Sequence, residues 1–103
     1  MRLLILAALL GLAGVVFSAD DKPKVLRVLC YNIHHGEGTD DKLDLGRIAG
    51  IIKAAKPDLV FLQEVDQNAT RTKKVDQTAE LAKLTGLEAA FGKAIDLQGG
   101  ART

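Results

Sequence analysis

Polar residues collect just after two apolar runs: Asn32, His34 and His35 follow one, and Gln63 and Glu64 close another. Glu64 ends the stretch Leu59-Val60-Phe61-Leu62-Gln63, with a dry core expected on one side and solvent on the other. A carboxylate placed there can hold Mg2+, which takes one or two carboxylates and keeps several waters for a phosphate to displace. The plainer alternative is a solvated charge closing a strand. Asn32 offers an amide oxygen that can ligate a metal and an NH2 that can donate to a phosphoryl oxygen; taken alone, it also fits a turn-former. His34 or His35 can approach a substrate phosphate, against the alternative of a solvated loop. Zinc is not expected, because adjacent histidines on an extended segment point to opposite faces and no further His or Cys completes a zinc ligand set. Arg71, in the polar stretch after Glu64, suits bidentate contact with phosphate oxygens, though a solvated loop arginine is the commoner outcome. Asp76 reads as a helix cap. Gly36 and Gly38 more simply let the loop turn than cradle a phosphate.

These residues need elements to hold them. Residues 25–32 are a nearly continuous apolar run, the pattern of a strand covered on both faces. A loop rich in Gly and Asp comes next, over 33–43. Asp44 is a helix N-cap, and Leu45, Ile48, Ile51, Ile52 and Ala55 recur at helical spacing. Pro57 ends that helix. A second buried strand is predicted over 59–62, a polar loop over 65–75, and a short helix over 76–85 with Gly86 as its C-terminal cap. A weaker third strand is predicted over 87–95, with a turn at Gln98-Gly99-Gly100. The order β-α-β-α-β is that of an α/β domain. Two strands joined by a helix are most simply parallel, and ligands of open α/β sheets bind outside the carboxyl ends of the strands.

Composition bounds the reading further. The chain has 103 residues, enough for one small domain. Residues 1–19 read as a secretory signal peptide: Arg2, an apolar run to Phe17, then small Ser18 and Ala19. Cleavage after Ser18 is favoured, and 20–24 form a charged linker containing Pro23. The expected location is exported, periplasmic or secreted; the alternative is a membrane anchor through an uncleaved leader, the only membrane contact expected. Lys and Arg total 14 against 13 Asp and Glu, and Arg2 falls in the leader, so the mature chain is formally near neutral. It has no dedicated nucleic-acid-binding patch. The single cysteine, Cys30, cannot form an internal disulfide and is expected as a small buried hydrophobe.

Three segments together resemble the opening of endonuclease/exonuclease/phosphatase superfamily proteins. They are Leu29-Cys30-Tyr31-Asn32-Ile33-His34-His35-Gly36, Asp44-Leu45-Gly46-Arg47-Ile48-Ala49, and Pro57-Asp58-Leu59-Val60-Phe61-Leu62-Gln63-Glu64-Val65-Asp66. Arg71, Val75-Asp76-Gln77 and Glu80-Leu81 resemble the next segment of the superfamily's small exported bacterial members. The resemblance covers about 25–98 and implies that 25–103 are the N-terminal part of a four-layer α/β sandwich. It implies hydrolysis of a phosphoester substrate with Mg2+ or Mn2+, Glu64 as metal ligand and Asn32 as an active-site residue beside metal and phosphate. The family's later Asp-x-Asn pair and Asp-His pair do not occur here, so the chain alone is expected to be inactive and marginally stable. The alternatives are a non-catalytic binding module or a membrane-tethered remnant of the fold.

Overall fold

A computed structural model describes residues 25–103; the leader and linker expected over 1–24 lie outside the described residues. The first strand, β1 (Val28–Asn32), pairs in parallel with β2 (Leu59–Gln63), in the register Val28 with Leu59 through Asn32 with Gln63. The parallel pairing expected from sequence is therefore present. Helix α1 (Leu45–Ala55) makes the crossover between them. Asp44 caps it, its side chain accepting a hydrogen bond from the Arg47 backbone N–H at 2.9 Å, and Lys56 ends it in a left-handed conformation just before Pro57. Helix α2 (Gln77–Thr85) begins at Asp76, whose carboxylate accepts from Ala79 N–H at 3.1 Å, and stops at left-handed Gly86. Both helices thus start and stop where their capping residues require. Among the described residues, no helix is long and apolar enough to cross a membrane.

The core lies between the two helices and one face of β1–β2. Ile48, Ala49 and Ile52 from α1, Leu81 from α2, and Ile33 and Val65 from the ends of the strands are buried together. Leu29, Tyr31, Val60 and Leu62 pack against them from the strands. Ile51, counted in the helical stripe, points away and is exposed.

The opposite face of β1–β2 corrects the expectation of strands covered on both sides. Burial alternates along each strand, and the row of Val28, Cys30, Leu59 and Phe61 is exposed. Cys30 is accordingly exposed rather than buried. A continuous apolar run signals two buried faces, but among the described residues only one face has helices against it.

The third strand is also corrected. Residues 87–94 form no strand; the segment contains Ala89, Ala90 and Gly92, which have little β preference. Instead β4 (Ile95–Leu97) and β5 (Gly100–Arg102) form a hairpin. The loop is the two residues Gln98 (φ 47°) and Gly99 (φ 80°), and two successive positive φ values are the requirement of the favoured two-residue hairpin turn. Strand β5 also pairs antiparallel with β3 (Asp66–Gln67), giving a second sheet in the order β3-β5-β4. Gly100 has to be glycine there, because a Cβ would collide with the Gln67 and Asn68 backbone. The architecture is α/β, as expected, with a small antiparallel sheet added beside the parallel pair.

Candidate functional site

The parallel register brings the polar strand ends together. Beyond β1 and β2 the two chains stay joined: Ile33 N–H donates to Gln63 C=O at 3.0 Å, and His35 N–H to Glu64 C=O at 2.9 Å. His34, His35 and Glu64 are therefore placed side by side by backbone bonds before any side-chain contact is made.

The turn after β1 corrects the reading of the two histidines. They do not lie on an extended segment. His34–Gly36 form a 3-10 turn in which His34 (φ 47°), His35 (φ 44°) and Gly36 (φ 80°) all have left-handed backbone. The rings lie with centroids 4.4 Å apart. The side chains of His34, His35 and Glu64 each offer a metal-ligand atom, all within 4.8 Å of one another. Glu64 too is left-handed, at φ 58°. Three non-glycine residues in this region each cost about 1–3 kcal/mol, a strain that clusters at functional sites.

The turn is fastened from below. Gln77, buried at the first turn of α2, donates from Nε2 to His35 C=O at 2.8 Å and accepts from Asp66 N–H at 3.0 Å. A Cβ at Gly36 would press to 2.9 Å from the Leu45 side chain, so both φ and space demand glycine. Asn32 Oδ1 accepts from His34 N–H at 3.0 Å, holding the amide beside the turn.

Electrostatics separates the groups. The Asn32 amide beside the Glu64 carboxylate, with the charge of Arg102 opposing the cost of desolvation, holds Glu64 below the usual carboxylate range. Arg102 forms an ion pair with Glu64. Burial, helped by the charges of Arg71 and His34, pushes His35 down and favours neutral imidazole, the form that binds metals. Burial alone would raise Asp66, but the hydrogen bonds and charge of Arg71 more than reverse it, with help from the Thr72 hydroxyl. Arg71 donates from Nε and Nη2 to the two Asp66 oxygens at 2.8 and 2.9 Å. Asp66 is fully buried.

Each residue singled out in the sequence thus has a place. Asn32, His34 and Glu64 converge at the carboxyl ends of the parallel strands. Asn32 and His34 also border a cleft of about 560 Å3, lined further by Tyr31, Glu37, Gly38 and Arg47. Arg71 is not a free loop cation; its guanidinium is engaged by Asp66. Sequence reasoning assigned no role to Asp66, Gln77 or Arg102, nor a metal-ligating role to His35. Asp66 stands in the strand-end motif and Gln77 directly after the Asp76 cap, but nothing in their spacing announces a clamp.

Comparison with known proteins adds to this geometry. No protein-family model matches the chain, and no curated protein matches it significantly. Among solved structures it is similar to the crystal structure of an endonuclease/exonuclease/phosphatase from Beutenbergia cavernae DSM 12333, with 37% identity and a TM-score of 0.51 over 59% of this chain. The chain spans 17% of the length of that protein. The chain is therefore similar, over 59% of its residues, to a solved endonuclease/exonuclease/phosphatase structure.

Proposed function

We propose that this chain contributes one part of a divalent-metal site for hydrolysis of phosphoester bonds. The observation that carries the reading is the meeting of Asn32 and Glu64 at the ends of two parallel strands, in a chain similar to an endonuclease/exonuclease/phosphatase. A carboxylate held ionised suits a cation, and an adjacent neutral amide suits an anionic ligand of that cation. Glu64 would hold Mg2+ or Mn2+, with Asn32 beside it. Such an ion, when bound, supplies Lewis-acid stabilisation of phosphoryl oxygens and of the leaving group. Asn32 donates from its NH2 to a phosphoryl oxygen while His34 N–H fixes its Oδ1. His34 approaches the phosphate from the cleft, and Arg71, held by Asp66, adds positive charge on the same side. The groups that activate water and complete the phosphate contacts belong to the family's later motifs, so the 103-residue chain alone hydrolyses little.

The leader reading extends this to an exported protein, with Ala19 as the first residue after cleavage; N-terminal sequencing of the exported form tests it. The functional reading is tested by assaying phosphomonoesters and phosphodiesters with a polypeptide that joins this chain to the later family motifs. Hydrolysis that stops on chelation, returns with Mg2+ or Mn2+, and is lost in Glu64→Gln supports it. Hydrolysis that ignores both chelation and Glu64→Gln sinks it.

A further inference from the structure

The unexplained group in the site is His35. It is 8% exposed, and its Nδ1 is buried with no hydrogen-bond partner. Its other nitrogen, Nε2, lies 3.4 Å from the Glu37 carboxylate. A carboxylate oxygen facing Nε2 favours the tautomer with the proton on Nε2 and the lone pair on the buried Nδ1. His34 is arranged in parallel fashion. Its Nδ1 lies 3.2 Å from the Glu37 carbonyl oxygen, which also only accepts, leaving the lone pair on Nε2. One residue, Glu37, thus faces both rings with acceptor oxygens, from its carboxylate to His35 and from its backbone to His34. Metal-ligating histidines have this arrangement, the remote N–H donating to a carboxylate or a carbonyl.

We infer that His34, His35 and Glu64 form a two-imidazole, one-carboxylate site for a divalent transition-metal ion of the Zn2+, Co2+ or Mn2+ class, with Glu37 as its orienting residue. The inference rests on the reading of Glu64 as a metal ligand and adds the nitrogen donors, which change the preferred ion. Imidazole suits transition metals, whereas Mg2+ takes oxygen ligands. Donors to one ion at about 2.1 Å lie within about 4.2 Å of one another; one ring nitrogen of each histidine and a Glu64 oxygen already lie within 4.8 Å, close to that spacing. The cation would replace the Arg102 guanidinium as the positive partner of Glu64.

The test uses the full chain and needs no activity. Co2+ is titrated and followed by its visible absorption, and Zn2+, Mn2+ and Mg2+ are compared as competitors. The expected result is displacement of Co2+ by Zn2+ but not by equal Mg2+. His34→Ala changes an exposed residue and keeps the fold; it should weaken Zn2+ binding at least about tenfold with little effect on Mg2+. Glu37→Gln, which removes the charge orienting His35, should weaken Zn2+ binding in the same direction. Equal affinity for Zn2+ and Mg2+, or unchanged Zn2+ binding in His34→Ala, overturns the inference. Retained hydrolysis in Glu64→Gln instead sinks the phosphoesterase reading, so the two failures are told apart.

Discussion

Asp66 with Arg71 and Glu64 with Arg102 are both carboxylate–guanidinium pairs, and the two acids nearly adjoin in sequence, yet their surroundings are opposite. Asp66 is fully buried, held by two short parallel hydrogen bonds and by the Thr72 hydroxyl. Glu64 is partly exposed, sits on strained backbone, and shares its carboxylate with Asn32 and Arg102. The first pair has no room for another partner. The second is a single, partly exposed ion pair in which a cation would compete with Arg102 for the carboxylate. Burial and multiplicity of bonds make a carboxylate structural; partial exposure beside unpartnered nitrogen makes one available for chemistry.

The contrast is tested most severely by Arg71→Ala. It leaves Asp66 buried without its counter-charge and should cost about 3–5 kcal/mol, read from urea unfolding of the chain. A cost under about 1 kcal/mol would mean that water reaches Asp66 and that the two pairs do not differ. Glu64→Gln should do the reverse: metal affinity falls at least about 100-fold, while the unfolding midpoint stays close to that of the parent. Acid should also separate them. The folded Asp66 lies below its ordinary value, so the unfolded chain takes up protons first. The stability it contributes is present above about pH 4 and is lost as pH falls through the folded value. Asp66→Asn should lack that acid-limb slope, measured as unfolding free energy against pH. The smallest effect is expected for Arg102→Ala, a change in stability within about 1 kcal/mol together with modestly tighter metal binding. Weaker binding would show that Arg102 supports the site rather than competing for it.

Much of the frame could be read from the chain before folding. Asp44, Pro57, Asp76 and Gly86 marked the helix ends because capping is local chemistry, and apolar spacing marked the core faces of α1 and of the strands. What was illegible depended on backbone that the residue types disfavour or on contacts between distant segments. Two histidines in left-handed conformation contradict the extended continuation that a strand suggests. That conformation is stabilised by Gln77, far along the chain, donating to the His35 carbonyl. The Asp66–Arg71 pair needed the geometry of the Thr70–Thr72 turn. The terminal hairpin was half seen, as a turn, but the three residues of β5 are too few for a periodicity signal, and β5 takes its partner β3 from much earlier in the sequence.

The open row on β1–β2 has a chemical consequence. Cys30 lies in that row directly opposite Phe61, and it is the only thiol in the sequence. The sheet therefore carries its own label site on the face that, among the described residues, has no helix against it. Alkylation of Cys30 should be fast while that face is bare and should slow when another layer is laid over it, in this chain or in a longer polypeptide. The rate of a single thiol reaction thus becomes a solution measure of how many layers the sandwich has.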